Sequence, residues 1–203
     1  MKQRNIIVLG AGISGLATAS LLAKAGHKVK VIEGASWIGG KSKRIVVDGQ
    51  RMDTGPALVT FPGVWHEFIR RYDNLGTGPK ASEIAPIEFE PLSEVGEYFY
   101  RGDKCLLPVE AGNKWHEPWV RFEAVHGKLD KEITTLLTNT SLSPKAVPAV
   151  SKLVSNYGLR LTTKSYLDGL KWLPEGLKEI ISIHTLNAGV APESTLALFA
   201  TMP

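Results

Sequence analysis

An apolar strand that runs into Gly10-Ala11-Gly12-Ile13-Ser14-Gly15, a nearly uncharged helix behind it, and a second apolar strand ending on Glu33 together predict an α/β fold. The fold opens with a nucleotide-binding βαβ unit, and the remainder of the 203 residues reads as the start of an α+β domain. We place the boundary between residues 75 and 76. Hydrophobic residues at 43% and charged ones at 22% exclude a collagen-like or wholly disordered chain. The formal net charge of +4 comes with no long run of like charges, so no nucleic-acid partner is expected. Cys105 is the single cysteine, which excludes an internal disulfide and a cysteine-only metal site; no metal ligands are expected.

The first strand is Ile6 to Leu9, an apolar run of the kind buried on both faces. Ile13 to Ala25 reads as a helix whose only charge is Lys24, and Gly26 ends it. His27 to Ile32, rich in Val and Ile, is the second, parallel strand. Gly10 permits the tight turn, Gly12 lets the backbone approach a pyrophosphate, and Gly15 lets helix and strand pack closely. The unpaired N–H groups of the helix N-terminus favour the phosphate charge, while Glu33 can accept the hydroxyl hydrogens of an adenosine ribose and would repel a 2′-phosphate. The basic start at Met1–Arg4 and the apolar run behind it also suit an export signal. Gly10, Gly12 and Gly15, the hydroxyls of Ser14, Thr18 and Ser20, and the second apolar run after Gly26 argue against that reading.

Beyond Glu33 stands Gly39-Gly40-Lys41, a second close backbone approach with a cation beside it. Arg44–Val47 and Gln50–Met52 flank Asp48-Gly49, a strong signal for a tight hairpin, and the hairpin delivers the chain to Asp53-Thr54-Gly55-Pro56. Pro62–Tyr72 is a helix with Pro in its first turn, 74–86 a polar linker, and 87–107 a run of short strands that begin a second sheet. Trp115 and Trp119 are expected in the core, with Pro118 kinking the helix or delaying its start. Residues 129–137 and 145–157 are amphipathic. Pro174–Leu186 is a helix with Leu177, Ile180, Ile181 and His184 on one side, stopped at Asn187–Gly189, and Glu193–Met202 carries a further helical pattern that reaches Pro203 without a cap.

The string from Gly10 to Leu22, then Glu33, then Gly39-Gly40-Lys41 resembles the FAD-binding signature of the amine-oxidase and phytoene-desaturase superfamily. Asp53-Thr54-Gly55-Pro56, and later Ile183-His184-Thr185-Leu186 with Gly189, Pro192 and Ser194-Thr195, resemble stretches of the carotenoid (phytoene-type) desaturases. The resemblance covers that family's N-terminal portion and implies an incomplete Rossmann-type FAD-binding domain followed by the start of a substrate domain. The cofactor-binding residues it implies are Gly10, Ala11, Gly12, Ser14, Gly15, Glu33, Gly39, Gly40, Lys41, Gly55 and Pro56. It also implies transfer of a hydride from a hydrophobic polyene to FAD, with peripheral attachment at the cytoplasmic face of a membrane. No residue is named as catalytic, and His184 is read as a core histidine. Other flavin enzymes of the amine-oxidase type, a carotenoid isomerase, and a non-catalytic fragment stay open as alternatives. The chain is expected to be truncated and, by itself, inactive, poorly soluble and weak in flavin binding.

Overall fold

In the computed structural model of the chain the described residues are 2–55, 58–76, 78–140 and 143–201. They form two compact units, Met1–Phe89 and Glu90–Pro203.

The first unit is built on β1 (Asn5–Leu9), α1 (Ile13–Lys24) and β2 (Lys28–Ile32). β1 and β2 are parallel, in register from Asn5 opposite Lys28 to Leu9 opposite Ile32. Such pairing needs a crossover, which α1 supplies while packing its small and apolar residues on both strands. Alternation along the strands half-buries Ile6, Val8, Val29 and Val31, but Ile7 and Leu9 are 63% and 78% exposed. The expectation of a first strand buried on both faces is therefore not met among the described residues. Among the described residues only one layer, α1, packs against this sheet, and only Ala11 and Ala19 of the first unit are buried.

β3 (Arg44–Val47) and β4 (Gln50–Asp53) form the expected antiparallel hairpin, with Asp48 and Gly49 both left-handed at its turn. α2 (Pro62–Asp73) starts on its proline, and Asp73 accepts hydrogen bonds from the Ala81 N–H (2.7 Å) and the Ser82 hydroxyl (2.6 Å), which set the start of the short α3 (Ala81–Ile84). The Lys24 ammonium donates to the carbonyls of Gly78 (3.2 Å) and Pro79 (2.8 Å). These bonds stitch the polar 74–86 stretch into the first unit, so the compact division falls at Phe89–Glu90 and not at the composition change near residue 75.

The second unit opens with the antiparallel pair β5 (Gly96–Tyr100) and β6 (Asp103–Leu107), followed by α4 (His116–His126), α5 (Asp130–Thr138), α6 (Val147–Tyr157), α7 (Thr163–Gly169) and α8 (Glu175–Ile183). Pro118 sits in the first turn of α4, where no intrahelical partner is needed for its missing N–H; the helix starts late and is not broken. Trp115, Trp119, Phe122, Leu129, Ile133, Leu177 and Ile181 are buried in a dense core. α7 escapes hydropathy because it is short; its signal is a capping box in which Thr162 and Ser165 each accept from the other's backbone N–H. α8 ends sooner than its apolar pattern, at Ile183, and tightens into a 3-10 turn over His184–Ala188 that left-handed Gly189 terminates. The helix expected over 193–202 does not form. The segment around Thr195 and Leu196 is drawn into bonds with residues distant in sequence instead: the Thr163 N–H donates to the Thr195 carbonyl (2.8 Å) and the Ala197 N–H to the Leu161 carbonyl (2.9 Å), leaving a 3-10 turn over Ala197–Thr201. Met202 and Pro203 lie outside the described residues.

His126 anchors the aromatic interior of this unit. Its ring stacks on Phe122 with centroids 3.8 Å apart, Nδ1 lies 2.7 Å from the Phe122 carbonyl oxygen, and Nε2 lies 3.0 Å from the Tyr166 hydroxyl. A carbonyl only accepts, so Nδ1 carries the proton, and Nε2 of the neutral ring accepts from Tyr166. Burial holds the His126 pKa below its ordinary 6.5, opposed by the bond to Phe122, and burial lowers that of His184 as well. Below about pH 6.5 the unfolded chain takes up protons that the folded one resists, so stability declines as the pH falls through the folded pKa values. Thermal melts followed from pH 7.5 to pH 5 should show this decline, and His126→Phe should melt lower at neutral pH but with a shallower pH slope. An unchanged slope in the variant would assign the dependence to other groups.

Candidate functional site

The strand–helix turn is held by backbone bonds on both sides. The Gly10 N–H donates to the Ile32 carbonyl (2.7 Å), joining the ends of β1 and β2, and Gly10 adopts φ +93°, a left-handed conformation closed to most side chains. A Cβ on Gly15 would overlap the Gly10 carbonyl oxygen and touch Val8, so the helix can cross the turn this closely only with glycine there. Gly12 is the N-cap of α1 and no side chain caps the helix, which leaves the first-turn N–H groups without intrahelical acceptors. Ser14 is exposed in that first turn.

Glu33 closes the turn from the end of β2. Its carboxylate accepts the Ala11 N–H at 2.6 Å and the Ala35 N–H at 2.8 Å, and these bonds, Ala11's foremost, hold its pKa below the usual carboxylate range. An ionised carboxylate offers about four acceptor sites, so acceptor capacity stays open to a donor such as a ribose hydroxyl.

The second glycine stretch meets the first directly. The Gly39 N–H donates to the Ala11 carbonyl (2.7 Å), Gly12 and Gly39 form a parallel bridge, and a Cβ on Gly40 would come within 3.1 Å of the Gly12 Cα. Downstream, Gly55 packs so closely on the Lys41 carbonyl that a Cβ would overlap it, while the Thr54 N–H (2.8 Å) and hydroxyl (2.9 Å) both donate to the Lys43 carbonyl. Asp53 pairs with Arg44 at 2.7 Å across the hairpin. Ser42, Lys43, Arg44, Asp53 and Gly55 line a cleft of about 340 Å³. Thus Gly10, Ala11, Gly12, Gly15, Glu33, Gly39 and Gly40 form one backbone cluster, and Lys41 and Gly55 meet beside it. The Lys41 side chain is exposed, and Pro56 lies outside the described residues.

Two residues of the site were not legible beforehand. The Trp37 indole N–H donates to the Gly40 carbonyl (3.3 Å), and the Lys43 ammonium sits 3.9 Å from the Trp37 ring centroid. An aromatic three residues before the second glycine and a cation three residues after it are the only trace of this brace in the sequence. His184 is buried with Nε2 2.8 Å from the Tyr98 hydroxyl, the satisfied core role expected of it. No cluster of metal ligands occurs among the described residues.

Residues 8–72 match the NAD(P)-binding Rossmann-like domain. The phytoene desaturase of Fusarium fujikuroi is 39% identical over 89 residues, which are 44% of this chain and 15% of that protein. The zeta-carotene-forming phytoene desaturase of Myxococcus xanthus is 26% identical over 215 residues, covering 98% of this chain and 40% of its own length. Over nearly its whole length the chain is similar in sequence to carotenoid desaturases. It corresponds to their N-terminal portion, spanning about 40% of the longer-matching desaturases. A double mutant of putrescine oxidase redesigned in its cofactor binding shares the fold, with a TM-score of 0.58 at 20% identity over 98% of this chain and 41% of that one. The first unit is accordingly a dinucleotide-binding Rossmann-type fold, of which the desaturase-like chain carries the first βαβ.

Two glycine substitutions separate packing from ligand space. Gly15→Ala should destabilise the first unit by about 1–3 kcal/mol, the usual cost of overpacking. Gly12→Ala meets only the Gly40 Cα, at 4.0 Å, and, with both proteins compared free of ligand, should melt like the parent. Thermal melts of the two variants check this; equal melting temperatures would show that Gly15 is not needed for packing.

Proposed function

We propose that this chain is the cofactor-binding portion of an FAD-dependent desaturase acting on a hydrophobic polyene. The observation that carries the reading is the convergence of Gly12 with Gly39 and Gly40 beside the ionised Glu33 at the end of β2. The fit to the dinucleotide is physical. Uncapped N–H groups at the start of α1 suit the pyrophosphate, the bare Cα atoms of Gly12 and Gly40 leave room for its approach, and Lys41 adds a cation. The open acceptor sites of Glu33 suit the ribose diol, and its charge disfavours a 2′-phosphate there. The Trp37–Gly40 bond and the Thr54–Lys43 bonds hold the second glycine stretch in place before any ligand arrives.

Bound FAD supplies a hydride acceptor, so that loss of a hydride and a neighbouring proton from the polyene leaves one more conjugated double bond. Relatives named phytoene and diapophytoene desaturases support this substrate class. No helix of the described residues is long and apolar enough to cross a membrane. In this reading the water-insoluble polyene is collected from a bilayer by peripheral attachment on its cytoplasmic side.

The full-length protein should purify with a yellow chromophore that is released as FAD. Gly12→Ala should fold but lose it, and Glu33→Ala should weaken FAD binding by about tenfold or more, as removal of a charged hydrogen-bond partner does. Conversion of a colourless polyene to a coloured product checks the substrate class. Oxidation of a water-soluble amine with no action on polyenes would replace the desaturase reading with an amine-oxidase one, and full FAD occupancy in Gly12→Ala would move the pyrophosphate elsewhere.

A further inference from the structure

α6 has two apolar sides, and only one is used. Ala149, Leu153 and Tyr157 are buried in the second unit, whereas Val147, Val150 and Val154 are 61%, 37% and 52% exposed. The ridge continues past the helix end: after Gly158, Leu159 is 94% exposed and Leu161 73%, and Leu196, bridged to Thr162, is 55% exposed. Val150, Val154, Leu161 and Leu196 wall an almost wholly apolar cleft of about 220 Å³. Single exposed leucines are ordinary on soluble proteins, but a contiguous patch over an apolar cleft marks an interaction surface.

Charge decides the occupant. Between Glu132 and Asp168 the chain has no acidic residue; its charges there are Lys145, Lys152, Arg160 and Lys164. Lys152 and Lys164 pair with those bounding acids, at 2.8 Å and 3.2 Å. Lys145 and Arg160 are exposed and have no carboxylate partner among the described residues, one at the start of the valine stripe and the other between the two leucines. Apolar tips flanked by cations suit the boundary of headgroups and acyl chains in an anionic bilayer. A second copy is disfavoured, because a two-fold contact through this ridge would set its cations against their own counterparts.

We propose that Val147, Val150, Val154, Leu159, Leu161 and Leu196, with Lys145 and Arg160, form the surface by which this protein docks on an anionic phospholipid bilayer. The inference gives the peripheral attachment of the preceding section a place, and rests on that reading only for why a membrane is visited.

Cys105 is the only cysteine of these 203 residues and is buried, so Leu159→Cys on the full-length protein, with any accessible cysteine beyond them replaced by serine, provides one accessible thiol for an environment-sensitive fluorophore. With vesicles of mixed phosphatidylcholine and phosphatidylglycerol its emission should shift to the blue and rise, and with phosphatidylcholine alone it should change little. In flotation with the mixed vesicles, the double variant Leu159→Asp, Leu161→Asp should bind more than about tenfold more weakly, and Arg160→Glu should also weaken binding, with FAD content and melting temperature unchanged. Vesicle binding that the variants do not alter would overturn the ridge while leaving membrane attachment in place. A probe silent with every vesicle would mean that the rest of the full-length chain covers the ridge, and a lipid-free shift that grows with protein concentration would mean self-association; either overturns the proposal. Absence of FAD from the parent protein would sink the flavin reading alone, since the probe reports on the ridge without it.

Discussion

The hydrogen bond from the Ala11 N–H to the Glu33 carboxylate is the constraint on which the candidate site depends. Ala11 is 2% exposed, so its peptide groups must find partners inside the protein. The N–H is satisfied by Glu33 and the carbonyl by the Gly39 N–H, so one residue joins the end of β2 to the second glycine stretch. Without the carboxylate a buried donor would be orphaned and that junction would loosen. The same bond holds the carboxyl group ionised and oriented, so the group that shapes the turn is also presented to a ligand.

The closest approaches near the turn are backbone against backbone. Gly15 crosses the Gly10 carbonyl, Gly40 approaches Gly12, and Gly55 lies on the Lys41 carbonyl. Such a surface has little side-chain freedom left to lose on binding, which favours a ligand recognised through N–H groups and shape. The Trp37–Lys43 pair adds rigidity at the outer side, where the loop has no regular secondary structure to hold it.

Much of this was legible in the sequence because its causes are local. The β1–α1–β2 order follows from hydropathy and the glycine spacing, the hairpin from Asp48-Gly49, and the start of α2 from Pro62. What could not be read depends on partners distant in sequence. The Lys24 bonds that draw 78–79 into the first unit span more than fifty residues, and Thr195 and Leu196 give up a helix to pair with 161–163. Burial of β1 on both faces was inferred from its letters alone, and letters do not say how many layers are present to do the burying.

The two units therefore differ in how their stability arises. In the second, rings from Trp119 through Phe122, His126, Tyr157 and Tyr166 interlock in one buried cluster, and each fixes its neighbours. Within this span, about 40% of the length of the longer-matching relatives, the first unit buries few of its described side chains, and its sheet leaves Ile7, Leu9 and Ile32 uncovered. Its order comes mainly from backbone hydrogen bonds around the glycine turn, each worth about 1 kcal/mol net. A ligand that binds the folded turn and not the unfolded chain adds its own free energy to that small sum, in proportion to the logarithm of its concentration over Kd. A dinucleotide held at the turn would therefore add to the stability of the first unit.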